Sequence, residues 1–188
     1  MRLESSSDDL EISVTDWGDV RRVVIEGKHV VPGGSYNREH SELETKLSVK
    51  TLAKLAKKKG CHFRDEIERG ESPKYMLRSL RLLLDEFGLE LNDKKVLDFG
   101  CGSGASSLNF ARLGAGNIVG ADVDKELIDI AQSRMGDLGY HGHSFEVIPY
   151  IDGKRGLRFS SEEFDVVWAL VATANFYPSR RLFQGRSH

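Results

Sequence analysis

The chain has 188 residues, 39% of them hydrophobic and 30% charged, with a formal net charge of −2. That length supports one substantial core, and the composition is that of an ordinary soluble globular protein rather than a disordered one. The near-neutral balance supplies no overall field to recruit nucleic acid or an acidic membrane, and no apolar run approaches the roughly 20 residues of a membrane helix. The opening MRLESSSDDLEISV has neither an apolar signal core nor an Arg-rich amphipathic pattern. Cys61 and Cys101 stand without paired spacing, which fits a reducing compartment and argues against a zinc ribbon. The expectation is a soluble, cytoplasmic protein with no membrane partner.

Residues 1–9 are polar. VRRVVIEGKHVV, 20–31, carries β-branched runs on either side of Glu26-Gly27 and predicts a hairpin there. PGGSYNREH then breaks regular structure. Ser41 with Glu44 three positions later predicts a capping box opening a helix, with Leu43, Leu47, Leu52 and Leu55 on one side and Gly60 at its end. Lys46, Lys50, Lys54 and Lys57 fall on the other side and read better as a solvated face than as an anion-binding surface.

Ser72-Pro73 predicts the start of a second helix, with Met76, Leu80, Leu83, Leu84 and Phe87 as a core-facing stripe and Gly88 as the stop. From residue 95 the elements alternate. A strand at about 95–99 leads to a helix over Ala105–Leu113, ended by Gly114. NIVGAD is a short buried strand, and Asp124 caps a following helix with Val123 and Ile128 placed as a hydrophobic staple. SFEVIPY is a third strand. FDVVWALV, 164–171, is a fourth, apolar enough to be buried on both faces. This alternation predicts a doubly wound, mostly parallel α/β sheet.

The chemistry concentrates in VLDFGCGSGASSL, 96–108. A strand running into a glycine-rich turn and then a helix lets backbone approach a ligand closely, and the helix N-terminus adds unpaired N–H donors. Gly100, Gly102 and Gly104 are spaced Gly-x-Gly-x-Gly, not the Gly-x-Gly-x-x-Gly of dinucleotide sites. Asp122, 22 residues after Gly100 at the end of the next strand, is placed to accept from the hydroxyls of an adenosine ribose. Asp98 stands at the mouth of the turn, where a carboxylate repels a pyrophosphate but suits a ligand carrying an ammonium group and a positive sulfur.

KKVLDFGCGSGASSLNFARLGAGNIVGADVDKELIDIAQSR, 94–134, resembles the class I, Rossmann-like S-adenosylmethionine-dependent methyltransferases, and FDVVWA at 164–169 looks like their fourth-strand motif. The resemblance implies S-adenosylmethionine as cofactor. It implies that Gly100, Cys101 and Gly102 lie against the methionine part, with Gly104 completing the turn and Asp98 near the amino group. Asp122 would hold the ribose and Val123 lie beside the adenine. Asp152 in YIDGKRG matches the family's acidic residue near the adenine amino group, and equally fits a type I′ turn with Gly153. Cys101 reads as a small residue that fits the turn, and His141 and His143 as a polar loop lacking a third metal ligand. Trp17, Tyr36 and His40 fit a substrate lid, and fit ordinary packing or exposure at least as well. No residue presents itself as a general base.

The expected organisation is an N-terminal hairpin-and-helix extension over 1–71, a cofactor-binding domain over 72–171 and an irregular tail over 172–188. Members of the family complete a seven-stranded sheet, whereas only 17 residues follow the fourth strand here. The sheet is therefore expected to be missing its C-terminal strands, with truncation the favoured explanation. FDVVWALV at 164–171 would then be an apolar edge that templates self-association. The expected activity is methyl transfer to a small-molecule acceptor. The alternatives are a shortened domain that binds cofactor without turnover and an NAD-dependent oxidoreductase.

Overall fold

The computed structural model describes residues 1–4, 10–27, 40–71, 76–148, 150–151, 154–155, 159–160 and 162–170. Its first part is an antiparallel meander of β1 (Arg2–Leu3), β2 (Leu10–Trp17), β3 (Val20–Gly27) and β4 (His40–Thr45), neighbours in that order. Along β2, Leu10, Ile12 and Val14 turn inward while Glu11 and Thr15 face out, the two-residue period of a half-buried strand. The tight connection is at Gly18-Asp19, where Trp17 pairs with Val20 and Gly18 takes φ +63°. The hairpin expected around Glu26-Gly27 is thus corrected. Gly27 pairs with Leu10 and Glu26 with His40, so both residues belong to the ladders of β3 rather than to a turn, and residues 28–31 lie outside the described residues.

The helix expected from Ser41 is corrected as well. Residues 41–45 form most of β4, with Ser41, Leu43 and Thr45 inward and Glu42 and Glu44 outward. Pairing with β3 gives this stretch a ladder of backbone hydrogen bonds in place of a helix's local ones, and Arg22 reaches across to Glu42. α1 begins later, at Val49–Lys59, where the Ser48 hydroxyl accepts from the Thr51 amide at 3.3 Å. Leu52 and Leu55 line its buried face, Leu47 is buried just ahead of it, and Gly60 at φ +49° ends it. A short 3-10 turn at Gly60–His62 leads into α2 (Phe63–Glu71), an element with no forecast in the sequence.

α3 spans Met76–Glu86, and Ser72-Pro73 lie outside the described residues. Leu80 and Leu84 are buried, but Leu83 is 45% and Phe87 71% exposed. The core-facing stripe is therefore narrower than expected. Five apolar residues at helical spacing cover a wider arc than the seam against α4 (Ala105–Arg112) can bury.

The second sheet is parallel: β5 (Lys95–Phe99), β6 (Asn117–Asp122), β7 (Ser144–Val147) and β10 (Val166–Trp168), in the order β10-β5-β6-β7. α4 joins β5 to β6, and α5 (Lys125–Asp137) joins β6 to β7. β8 (Tyr150–Ile151) and β9 (Lys154–Arg155) form a separate antiparallel pair. Val167 on β10 is 49% exposed, so this strand is not buried on both faces as expected; it is the edge of the described sheet. Strands succeed one another outward from β5 on one side and resume at β10 on the other. Such a reversal opens a crevice at the carboxyl ends of the strands, where α/β sheets bind ligands.

One core cluster joins the two halves. Ile12, Val23, Leu47, Leu55, Phe63 and Ile67 pack with Ile130 of α5, and Leu127 and Leu138 of the same helix lie against them. Polar ties reinforce the contact: Asp137 accepts from the Ser48 amide at 2.8 Å and the Thr51 hydroxyl at 2.6 Å. Lys58 Nζ reaches Asp124 at 2.6 Å and Glu126 at 2.9 Å. The lysines of α1 therefore serve partly as ties between helices, though Lys50 and Lys57 are exposed.

Ile130→Ala is expected to cost about 2–5 kcal/mol and to lower Tm in one cooperative transition, followed by circular dichroism. A first transition that melted the meander and left the parallel half folded would contradict a shared core.

Candidate cofactor site

The turn between β5 and α4 is held by strand β6. The amides of Gly100 and Cys101 both donate to the Ala121 carbonyl, at 2.7 and 3.2 Å, and the Gly104 amide donates to the Cys101 carbonyl at 3.0 Å. Gly100, Gly102 and Gly104 take φ of +76°, +55° and +81°. Those angles disfavour any residue with a Cβ. The surroundings of two of them differ in a telling way. A Cβ on Gly104 would lie 3.0 Å from the Ala131 Cβ, so this glycine lets α5 pack close. A Cβ on Gly102 would meet nothing within 4 Å, so its face of the turn looks into open space.

Asp122 closes the turn from the other side. One carboxylate oxygen accepts from the Gly102 amide at 2.9 Å and the other from the Asp124 amide at 3.0 Å. Asp124 in turn caps α5, accepting from the Glu126 and Leu127 amides at 2.9 and 3.3 Å. The expected capping role of Asp124 is realised. A single carboxylate thus sets the end of β6, the start of α5 and the middle of the glycine turn. Val123, next to it, is 37% exposed.

Asp98 is only 2% exposed, not open at the mouth of the turn as its sequence position suggested. Its Oδ2 accepts from the Ser107 hydroxyl of α4 at 2.6 Å. Burial, with Asp122 nearby, outweighs the Ser107 bonds and pushes its pKa up to about 6. Burial also drives the Cys101 thiol well above its usual range, with Asp98 and Asp122 adding to the effect. That thiol stays protonated and acts as a small filler, as the sequence suggested.

The turn has partners that the sequence did not reveal. Ser103, 1% exposed, donates its hydroxyl to Glu66 Oε1 of α2. Arg134 of α5 is fully buried and donates from Nη2 to the Glu66 and Ile67 carbonyls at 2.8 and 3.4 Å. Its Nη1 lies 3.5 Å from the Ser103 carbonyl and 3.7 Å from Glu66 Oε1. Lys59 Nζ approaches Glu66 Oε2 at 3.3 Å. Burial acts to raise the Glu66 pKa, but Lys59, Ser103 and Arg134 together hold the carboxyl below its ordinary range. Gly70 makes this possible, because a Cβ there would lie 1.9 Å from Arg134 Nη2. A glycine inside a helical stretch, in ERGE, was the one available signal.

Other expected positions are not gathered here. Asp152 and Tyr36 lie outside the described residues, and Trp17 is 65% exposed at the end of β2. His40 is the first residue of β4. Among the described residues no group of three His, Cys, Asp or Glu side chains is arranged to hold a metal. Among them, too, no helix is long and apolar enough to cross a membrane.

A glycine turn of this form, at the point where a parallel sheet reverses its strand order, is the arrangement of a Rossmann-like α/β fold. Residues 96–184, a little under half of the chain, match the family model described as a methyltransferase domain. The ribosomal protein L11 methyltransferase of Shewanella baltica is 44% identical over 45 residues, 24% of this chain and 15% of that protein. Its counterpart in Colwellia psychrerythraea is 51% identical over 41 residues, 22% of this chain and 14% of that protein. The matched stretches therefore span about a seventh of the length of these relatives. The crystal structure of the YcgJ protein of Bacillus subtilis aligns with 48% of this chain and 36% of its own, at 25% identity and a TM-score of 0.39.

Because the folded-state pKa of Asp98 is raised, the native state binds its proton more tightly than the unfolded chain does. Its contribution to stability is therefore present below the unfolded value near 4 and is lost as pH rises towards 6. Asp98→Asn removes that loss. The variant is expected to be more stable than the parent at pH 7 by about 1–3 kcal/mol and to lose this advantage at pH 4, read by urea unfolding at both values. Equal differences at the two pH values would remove Asp98 as a strained buried acid.

Proposed function

We propose that this chain binds S-adenosylmethionine at the glycine turn and transfers its methyl group to an acceptor. The observation that carries the reading is the Asp122 carboxylate, bonded through one oxygen to the Gly102 amide and through the other to the Asp124 amide. A carboxylate has about four lone-pair sites, so two remain for a pair of ribose hydroxyls without dismantling the turn. The open space above Gly102 is room for the methionine part against Gly100, Cys101 and Gly102. Val123, part-exposed beside Asp122, offers an apolar surface to the adenine.

Asp98 supplies the electrostatic half of the argument. Its buried charge favours an incoming cation and opposes a pyrophosphate, which with the glycine spacing sets an NAD-dependent reading aside. The cofactor brings an already activated sulfonium methyl, so the protein's task is alignment rather than activation. The turn and Asp122 fix the donor. A base is required only where the acceptor must lose a proton early.

We infer a small-molecule acceptor, because the chain's net charge of −2 gives no basic field for a nucleic acid. A protein acceptor is the second reading, supported by the relatives named for ribosomal protein L11. Transfer of a labelled methyl group to small amines, thiols and hydroxyls, against transfer to ribosomal protein, separates the two. Cofactor binding with no transfer to any acceptor would favour the shortened, non-catalytic domain instead.

Calorimetric titration is expected to show binding of S-adenosylmethionine and its demethylated product, S-adenosylhomocysteine, with none of NAD. Asp122→Ala is expected to weaken that binding about 10- to 100-fold, the loss of bonds to a charged group. Unchanged affinity in a folded variant would remove Asp122 from the site. The cation should lower the Asp98 pKa when it binds, so affinity is expected to fall as pH drops below about 6 and to level off above it. A pH-independent affinity between 5 and 7.5 would contradict the role given to Asp98.

A further inference from the structure

Beyond its backbone bonds, the glycine turn has few side chains of its own to hold it in shape. Gly102 and Gly104 carry no side chain and lose more backbone freedom on ordering than other residues do. Ser103, between them, is the one residue of this trio with a side chain, and that side chain does not face the open side of the turn. It is buried against α2, with its hydroxyl donated to Glu66 and its carbonyl 3.5 Å from Arg134 Nη1. Glu66 itself is fixed from two further sides, by Lys59 from the end of α1 and by Arg134 from α5. Arg134 is held by the Glu66 and Ile67 carbonyls and fits only because Gly70 lacks a side chain. All these α2 residues precede the part of the chain that matches the methyltransferase domain.

We propose that Glu66, acting through Ser103 and steadied by Arg134, is a positioning residue that preorganises the glycine turn for its cofactor. Glu66 does not touch the cofactor. It holds Ser103, and Ser103 holds Gly102 and Gly104 at the positive φ that leaves the Gly102 amide on Asp122 and the turn's outer face open. A turn ordered in advance loses less freedom on binding, and the gain is read as affinity. The segment ahead of the domain thereby sets how tightly the domain holds its ligand. The affinity part of this inference rests on the turn being the S-adenosylmethionine site. The ordering of the turn does not, and is measured without ligand.

The test crosses two variants. Ser103→Ala deletes the hydroxyl and leaves the Glu66–Arg134 pair. Glu66→Gln keeps an oxygen acceptor for Ser103 but removes the negative charge beside Arg134. Affinity for S-adenosylhomocysteine is measured by calorimetry, global stability by urea unfolding, and amide hydrogen exchange over 100–104 on the free protein. Ser103→Ala is expected to weaken binding about 5- to 20-fold and to speed exchange of the turn amides at least 5-fold, with Tm little changed. Glu66→Gln is expected to do the reverse, losing stability while holding affinity within about threefold. Affinity and exchange that merely track global stability in both variants would show a structural role alone and overturn the proposal. If the parent chain fails to bind S-adenosylhomocysteine, the cofactor reading fails. The exchange arm still decides the anchor, because unchanged exchange in Ser103→Ala overturns it with or without ligand.

Discussion

Arg134 sets the constraint around which this molecule is arranged. A guanidinium cannot shed its charge inside a protein, and this one is fully buried. It therefore needs acceptors, and its two Nη groups find them in two places: the backbone of α2 and the Ser103 residue of the glycine turn, while its buried Nε has no hydrogen-bond partner among the described residues. Glu66 supplies an opposite charge, and Glu71 adds to the local negative potential. Gly70 supplies the space, while Arg112 of α4 donates to the Gly70 carbonyl at 2.5 Å in the last turn of the same helix. α2 has few apolar residues, and its position is fixed largely by cations that belong to the parallel half. Removing one partner of such a group leaves an uncompensated buried charge, so this contact adds to the apolar core that the two halves share.

The site itself concentrates like charge. Asp98 and Asp122 flank the glycine turn, and their repulsion adds to the burial that raises the Asp98 pKa. A fold selected for stability alone would gain little by burying a carboxyl whose hydrogen-bond partner among the described residues is Ser107. On the proposed reading the missing partner is the cofactor's own positive charge. The cost of burying Asp98 and the affinity for a cationic ligand are then one property viewed from two sides.

The parallel half was legible because its signals are local. KVLDFG announces a strand followed by a turn, Gly114 ends α4 at φ +89°, and Asp124 caps α5 through its own side chain. Three glycines with acidic residues at 98 and 122 mark the proposed site in the sequence alone. The N-terminal half was illegible for the opposite reason. Ser41 and Glu44 have the spacing of a capping box, but β4 is decided by its ladder with β3, a partner from which residues 28–39 separate it. α2 has only Phe63 and Ile67 as large apolar residues, and its arginine partners are more than 40 positions away. The burial of Asp98 is not legible in the sequence because Ser107 acquires meaning only once α4 folds back over β5.

The central claim is that Asp122 and the glycine turn together form an adenosine-and-methionine site. A crystal structure with S-adenosylhomocysteine tests it most directly. The account predicts both ribose hydroxyls on the Asp122 carboxylate, with Gly102 and Asp124 amides still bonded to it, adenine against Val123 and the homocysteine part along Gly100–Gly102. Ligand bound elsewhere, or an Asp122 that must release the turn to reach the ribose, would contradict it.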